Sequence, residues 1–253
     1  MRIVRLCLAL IFALFCAASV SASAFAGESW TYQAETGPNY WAELDDTFAL
    51  CGSGKGQSPT NLTATASADL INPDFHYKPV PLNLLNNGHT VQVPYAPGSY
   101  VVLDGTRYNL LQFHFHSPSE HTIDSKSWDA ELHLVHQNDA GDLAVVAVLL
   151  QRDSTTNLAY SPISNSLPAR SGDKVRTETT INAQALLPSQ TTTYRYTGSL
   201  TTPPCSEAVT WLVMTEPVGL SADQIERYEK LLNHNNRPLQ ALNDRTVQID
   251  ISP

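Results

Sequence analysis

Three histidines in the middle of the chain have the spacing of a metal site. They lie in two predicted strands, Gln-Phe-His-Phe-His and Ala-Glu-Leu-His-Leu-Val-His. Because side chains alternate along a strand, His114 and His116 point to one face of the first strand. In the second strand, His133 shares a face with Glu131. If the two strands are neighbours, the three imidazoles converge on one point.

Three converging imidazoles predict a metal site of the catalytic zinc type. Neutral imidazole suits zinc, copper, nickel or iron. Three protein ligands that leave a fourth position open to water are the arrangement of a catalytic zinc site. Ordinary half-buried histidines are the alternative interpretation, but the third histidine lies at a matching strand position on a face that it shares with a carboxylate. We therefore expect Zn²⁺ as the cofactor.

Two other functional classes compete with this interpretation. His114, His116 and Glu120 also fit the first motif of a cupin, in which Glu120 would be a ligand of iron or manganese and the reaction an oxidation or isomerisation. The second cupin motif has Pro-x-Gly shortly before its last histidine, and residues 126–132, before His133, contain neither residue. A catalytically silent domain that only holds zinc is the other alternative.

The N-terminus has the three parts of a secretory signal peptide. A short basic segment is followed by an apolar run over residues 6–18, and residues 24–26 are a small-x-small cleavage signature. We predict that residues 1–26 are removed and that residues 27–253 form one domain. The predicted location is periplasmic or secreted.

The remaining composition excludes several classes of partner. The chain has 15 Lys and Arg against 24 Asp and Glu, a formal charge of −9, and no basic run. Nucleic-acid binding is therefore not expected, and no later apolar stretch approaches the length of a membrane span. The sequence does not distinguish a monomer from a homodimer.

Two cysteines remain once the predicted signal peptide is removed. They are Cys51 and Cys205. Two cysteines in an exported domain predict one disulfide, because the compartment is oxidising. Two free buried thiols are the alternative.

Short apolar and alternating runs separated by turn residues predict a mainly β (α+β) domain. Residues 143–150 are an unbroken apolar run, which indicates a central strand buried on both faces. One helix is predicted to begin after Ser221, with Gln224 completing a capping box. The other predicted strands are residues 80–85, 90–95, 100–103, 108–116, 191–197 and 208–214.

Several longer motifs resemble the signature stretches of the α-class carbonic anhydrases, in the family's order and over almost the whole predicted domain. The cysteine pair and Ser117-Pro118 resemble the secreted bacterial members in particular. The matching segments are residues 32–41, 57–59, 86–89, 112–116, 119–122, 130–136, 199–204, 207–211 and 236–238.

This resemblance implies a fold and an activity. The implied fold is a large, twisted, mostly antiparallel central sheet of about ten strands with short peripheral helices. Cis proline bonds are implied at Ser58-Pro59 and Pro203-Pro204. The implied reaction is the reversible hydration of carbon dioxide to bicarbonate, with weak esterase activity and inhibition by sulfonamides and anions.

The resemblance also assigns roles to residues of the reaction centre. His114, His116 and His133 match the zinc ligands, and zinc lowers the pKa of its bound water to about 7, a value measured on carbonic anhydrases themselves. Thr201 matches the residue that accepts a hydrogen bond from zinc hydroxide and donates one to Glu120.

Further family positions surround that centre. Gln112 and Glu131 match residues behind the ligands, and Glu131 would hold one ligand in the right tautomer. His89 matches the proton shuttle, because a histidine has an unperturbed pKa of about 6.5.

The remaining matches divide the implied cavity into two sides. A neutral, apolar substrate needs an apolar pocket rather than a charge. His121 and His136 resemble buried structural histidines. The apolar side would contain Val135, Val145, Leu200, Thr202 and Trp211, and the polar side Tyr32 and Asn87.

Overall fold

The computed structural model describes residues 30–251, so the predicted signal peptide lies outside the described residues. The described chain is mainly β, as expected, with four short α-helices. The helices are α1 (Trp41–Leu44), α2 (Leu50–Ser53), α3 (Ser161–Ser164) and α4 (Ala222–Leu232). The strands are β1 (Asn61–Leu62), β2 (Ala66–Ala68), β3 (Asp74–His76), β4 (Val80–Asn86), β5 (Val91–Pro94), β6 (Tyr100–Leu103), β7 (Thr106–His116), β8 (Thr122–Ile123), β9 (Ala130–Gln137), β10 (Leu143–Asp153), β11 (Lys174–Ile181), β12 (Thr193–Ser199), β13 (Glu207–Met214), β14 (Val218–Ser221) and β15 (Gln248–Asp250).

The main sheet of the described chain is larger than expected, and it is mixed. It has thirteen strands, whose central path runs β11-β4-β5-β7-β9-β10-β13-β12-β15-β2. Most pairs are antiparallel, but β10 is parallel to both β13 and β14, and β15 is parallel to β2. Parallel neighbours need a long crossover connection. Between β10 and β13 the chain supplies one, because β11 lies at the far edge of the sheet before β12 returns.

Most of the longer elements lie where the sequence predicts them, and β11 is the exception. The apolar run after residue 142 is β10, and Ala144 to Leu150 are buried, as expected of a central strand. The Ser221 side chain accepts a hydrogen bond from the backbone of Gln224, whose own side chain bonds back to the backbone of Ser221. This capping box begins α4 at the predicted residue.

The sheet separates two apolar clusters. On one face, Phe113 and Phe115 of β7 pack with Leu132 and Leu134 of β9, and α4 covers this face with Tyr228. The second cluster lies on the opposite face, which also carries the three histidines. It includes Val135, Val145, Tyr196, Val209, Trp211 and Val213.

A β-bulge in β7 sets which residues reach the apolar core. The register with β9 shifts between Leu110 and Gln112, leaving Leu111 between them. A bulge inserts one unpaired residue and reverses the alternation beyond it. As a result Leu110 is buried, together with Phe113 and Phe115, although simple alternation would place it on the histidine face.

Covalent features of the backbone agree with the sequence predictions. A disulfide joins Cys51 and Cys205. Ser58-Pro59 and Pro203-Pro204 are cis, and Ser117-Pro118 is cis as well. None of the helices within residues 30–251 combines the length and the apolar character that a membrane span requires.

Candidate metal centre

Three imidazoles meet where β7 and β9 lie side by side. The antiparallel register pairs His114 with His133 and His116 with Glu131. The ring centroids of His116 and His133 are 4.7 Å apart, and that of His114 lies 5.0 Å and 5.2 Å from them. One ring nitrogen from each histidine lies within 4.8 Å of the other two. The predicted convergence is therefore present.

Each imidazole is held by one of its two nitrogens. His114 Nδ1 donates to Gln112 Oε1 at 3.0 Å, and His116 Nδ1 donates to the carbonyl oxygen of Asn235 at 2.7 Å. His133 Nε2 donates to Glu131 Oε1 at 2.8 Å. In a neutral imidazole the second nitrogen then carries a lone pair. These hydrogen bonds leave His114 Nε2, His116 Nε2 and His133 Nδ1 free to bind a metal ion.

Burial keeps the three imidazoles neutral. It lowers the pKa of His116 to about 4. Burial also lowers the pKa values of His114 and His133, and for His114 the neighbouring imidazoles add to the effect. Neutral imidazole is the form that ligates a metal.

The donor set fits a zinc ion. His116 Nε2 is buried and has no hydrogen-bond partner in the described chain. Buried polar atoms without partners are rare, and an ion is one of the explanations for them. Three imidazoles are also the protein ligand set of a catalytic zinc site.

The cupin alternative is contradicted by the position of Glu120. Within residues 30–251, two groups of side chains are close enough to share a metal, and Glu120 belongs to neither. Its Oε1 instead accepts a hydrogen bond from the backbone N–H of Arg237 at 2.8 Å. The second group, His121, Glu131 and His133, is an internal hydrogen-bond network.

Glu131 is the centre of that network. Its Oε1 accepts from His133 and, at 2.7 Å, from His121 Nδ1. Its Oε2 accepts from the backbone N–H groups of Glu120 and His121, both at 2.8 Å. Burial opposes ionisation, but His121 and His133 outweigh it and hold the pKa of Glu131 well below its usual range. A fully buried carboxylate therefore stays charged behind one ligand.

The network continues away from the ligands. The Tyr196 hydroxyl lies 2.6 Å from His121 Nε2 and 2.8 Å from the Ser58 hydroxyl, which accepts from the backbone N–H of Ser199. His121 is therefore a buried structural histidine. His136 is fully buried too, and it contacts the Tyr77 hydroxyl at 2.8 Å.

Glu120 and Thr201 lie beside the imidazoles and are both buried. Burial raises the pKa of Glu120 to about 7, although His133, the Arg237 N–H and the Thr201 hydroxyl each lower it. Glu120 Oε2 lies 4.0 Å from His133 Nδ1. No group of the described chain meets both the distance and the angle of a hydrogen bond to this oxygen. Its free oxygen can therefore accept one further hydrogen bond.

His89 lies in the turn between β4 and β5, half-buried against Trp30. The two rings are stacked, with centroids 3.7 Å apart and an interplanar angle of 8°. This burial lowers the pKa of His89 below its ordinary value. Asn87 Oδ1 accepts from the backbone N–H groups of His89 and Thr90, so its side chain shapes the turn.

The predicted apolar positions lie together on the imidazole side of the sheet. Val135, Val145 and Trp211 belong to one buried cluster, and Leu200 packs against it. The Trp211 ring centroid lies 4.9 Å from that of His133. Thr202 is partly buried in the loop after Leu200, and its carbonyl accepts from the backbone N–H of Cys205.

The predicted polar residue Tyr32 lies at the edge of an aromatic group with Trp30 and Trp41. Its hydroxyl is buried and has no hydrogen-bond partner in the described chain. Burial, and then the charge of Glu120, raise the pKa of Tyr32 well above its usual range. Tyr32 therefore stays neutral at every ordinary pH.

Sequence reasoning missed three residues around the site. Asn235 holds His116 through its backbone, Arg237 holds Glu120 through its backbone, and Trp30 stacks on His89. Backbone carbonyl and N–H groups have no residue-type signal. Arg237 lies within the matched segment 236–238 and Asn235 lies just before it, but the sequence assigned no role to either residue. Trp30 lies just before the matched segment 32–41.

Comparison with known proteins gives consistent matches. The family model for eukaryotic-type carbonic anhydrases matches residues 36–251. A carbonic anhydrase of Nostoc sp. is 44% identical over 227 residues, 87% of this chain and 85% of that protein. A hyperthermostable carbonic anhydrase from an active hydrothermal vent chimney has a TM-score of 0.84 at 43% identity, covering 88% of this chain and 100% of that one. The α-carbonic anhydrase of Thermovibrio ammonificans, solved with the inhibitor sulfanilamide, has a TM-score of 0.84 at 38% identity, covering 87% and 98%.

Proposed function

Because this chain belongs to the α-carbonic anhydrase family, we propose that it catalyses the reversible hydration of carbon dioxide to bicarbonate and a proton. The observation that carries the proposal is the convergence of three neutral imidazoles, each anchored through one nitrogen and open at the other. His114, His116 and His133 would hold a zinc ion. When bound, zinc supplies a hydroxide nucleophile at neutral pH, since it lowers the pKa of its water to about 7, as measured for carbonic anhydrases themselves.

Glu120 and Thr201 would orient the attacking oxygen. A threonine hydroxyl has one proton to donate, and Glu120 offers a buried acceptor beside it. If the hydroxyl donates to the carboxylate, it can only accept from the reacting oxygen. That oxygen then has its lone pair directed at the substrate rather than at the protein.

The apolar cluster beside the ligands would receive carbon dioxide. Val135, Val145 and Trp211 present no charge, Leu200 packs against their cluster, and Thr202 follows Leu200 in the same loop. An uncharged substrate gains little from ionic contacts, so an apolar pocket next to the nucleophile is sufficient. Tyr32 and Asn87 would lie on the opposite, polar side.

His89 would carry the proton away. It is partly accessible and has a pKa below its ordinary value, so at neutral pH it is mostly the free base. A free imidazole can accept a proton from the reaction centre and release it to buffer. A histidine in a surface turn suits this relay between the centre and solvent.

We further propose that residues 1–26 are a cleaved signal peptide and that the enzyme acts in the periplasm or outside the cell. The Cys51–Cys205 disulfide supports an oxidising compartment. The complex of the Thermovibrio ammonificans relative with sulfanilamide supports inhibition by sulfonamides. Anion inhibition and weak hydrolysis of activated esters would follow from the same nucleophile.

The test compares His114→Ala with the parent enzyme, using His76→Ala as a control. His76 is a surface histidine whose ring bonds to Asp74 on β3. The parent and His76→Ala should hold one zinc per chain and hydrate carbon dioxide, whereas His114→Ala should lose both properties. Zinc binding without hydration by the parent would favour a silent zinc-holding domain and contradict the proposal.

A further inference from the structure

One buried asparagine joins β7, which carries the proposed ligands His114 and His116, to the turn that carries His89. Asn235 is 2% exposed and follows α4. Its backbone carbonyl accepts from His116 Nδ1 at 2.7 Å. Its side chain makes three further hydrogen bonds, each to the backbone of another segment.

The two N–H groups of the Asn235 amide serve different segments. Nδ2 donates to the carbonyl of Phe115, on β7, at 3.0 Å. It also donates to the carbonyl of His89 at 3.0 Å. The amide therefore bridges the ligand strand and the turn between β4 and β5.

The amide oxygen completes the arrangement. Asn235 Oδ1 accepts from the backbone N–H of Ser117 at 2.9 Å, just beyond the ligand His116. An asparagine amide offers two donors and one oxygen acceptor, and this set uses all of them. No other side chain of similar size presents the same three groups.

The backbone before Asn235 is shaped to direct it inward. Asn233 and His234 have φ values of 47° and 61°, so two successive residues lie in the left-handed region. Such conformations cost free energy for residues with a Cβ and persist where the surrounding structure requires them. They turn the chain at the end of α4 so that Asn235 faces β7.

We propose that Asn235 is a positioning residue that fixes the turn of His89 against the metal-ligand strand and so sets the proton path from the metal centre to His89. This inference rests on the proposed function, because it concerns the shuttle step of that reaction. Asn235 acts through His89 and β7 and does not touch the reacting atoms.

The decisive experiment separates proton transfer from hydration. The value of kcat/KM for carbon dioxide reports the steps up to bicarbonate release, whereas kcat also includes the later loss of the proton to buffer. Asn235→Ala removes the three side-chain bonds but keeps the carbonyl that holds His116. In weak buffer we expect kcat to fall about tenfold, part of the 10²–10⁴ that positioned proton transfer contributes, while kcat/KM stays within about twofold.

Two companion variants make the test specific. Asn235→Asp keeps the acceptor for Ser117 but places an oxygen opposite two carbonyls, so it should show the same loss of kcat. Asn157→Ala removes comparable side-chain bonds, to Gly219 and Ala159, near the start of α4, and should leave kcat unchanged. Added imidazole should restore kcat in both Asn235 variants.

A double variant tests whether Asn235 acts through His89. In the His89→Ala background, Asn235→Ala should cause no further loss of kcat. An additional loss, an equal fall of kcat and kcat/KM, or no change in the single variant would each overturn the proposal.

An independent readout uses the zinc-free protein. Stacking on Trp30 shifts the NMR signals of the His89 ring protons upfield, and Asn235→Ala should move them towards unshifted positions, whereas Asn157→Ala should not. Unmoved His89 signals in Asn235→Ala would contradict the link between Asn235 and the turn. Absence of hydration by the parent enzyme would instead contradict the proposed function, so the two failures are distinguishable.

Discussion

At the residue scale, the three proposed metal ligands differ in what holds them. His114 is held by a neutral amide, His116 by a backbone carbonyl and His133 by the charged carboxylate of Glu131. A carboxylate behind a ligand fixes its tautomer and raises its basicity more than a neutral acceptor does. Glu131 is also fully buried and satisfies four donors. It is therefore the partner on which the centre depends most.

Replacing Glu131 should weaken metal retention. Glu131→Gln removes the charge and turns one acceptor into a donor, so zinc affinity should fall about ten- to a hundredfold, the typical cost of losing such a partner in metal enzymes that include carbonic anhydrase. Gln112→Ala, which removes the neutral partner of a more exposed ligand, should have a smaller effect. Equilibrium competition with a chelator measures both zinc affinities, and a larger effect at Gln112 would contradict this ranking.

The stack of Trp30 on His89 should set the pKa of this proposed proton shuttle. Burial disfavours the imidazolium ion, so removing the covering ring in Trp30→Ala should raise the pKa of His89 towards its ordinary value. At a pH just above that ordinary pKa, a smaller fraction of His89 should then be in the free-base form. An NMR titration of the His89 ring gives the pKa, and Trp128→Ala is the control. A lower or unchanged pKa in Trp30→Ala would show that the stack has no such effect.

At the scale of elements, the bulge in β7 decides which side chains face the ligands. Simple alternation back from His116 would place Leu110 on the histidine face and Leu111 in the core. The register shift reverses this, leaving Leu110 2% and Leu111 43% exposed. Without it, one end of β7 would have the wrong face buried.

The two neighbouring leucines therefore provide a matched pair. Leu110→Ala should lower the free energy of unfolding by about 2–5 kcal/mol, because it leaves a cavity in the core. Leu111→Ala should change it by less than about 1 kcal/mol, as is usual at exposed positions. Chemical denaturation measures both, and a larger loss at Leu111 would mean that β7 lacks the bulge.

Local patterns account for the elements that carry the site. Alternation places the histidines of β7 and β9 on one face, and the apolar run after residue 142 identifies β10 as central. The strand β11 was not predicted, because it is a polar edge strand without an apolar run and has a register shift of its own. The bulge escaped because nothing in the local sequence marks the unpaired leucine.

At the scale of the whole molecule, distant segments close around the site. Cys51 and Cys205 are 154 residues apart, and Asn235 contacts β7 from near the other end of the chain. A pair of cysteines is visible in a sequence, so the disulfide could be predicted. The contacts of Asn235 could not, because they depend on how the chain folds over long separations.

Reduction of the disulfide should destabilise the domain. In the chain-entropy model, a cross-link that closes so long a loop contributes up to about 5 kcal/mol. The Tm should therefore fall when a reductant is added, and Cys51→Ser/Cys205→Ser should have the lower Tm without it. Calorimetry with and without reductant measures the effect. An unchanged Tm, or two titratable thiols in the untreated protein, would contradict the prediction.

The most direct test of the central claim is a titration of carbon dioxide hydration with a sulfonamide. Stopped-flow rates would be measured on the full domain after its zinc content has been determined. The proposed centre predicts fast hydration that is abolished by one equivalent of inhibitor per bound zinc. Hydration that persists at excess inhibitor, or a folded and zinc-loaded protein without hydration, would contradict a catalytic zinc held by His114, His116 and His133.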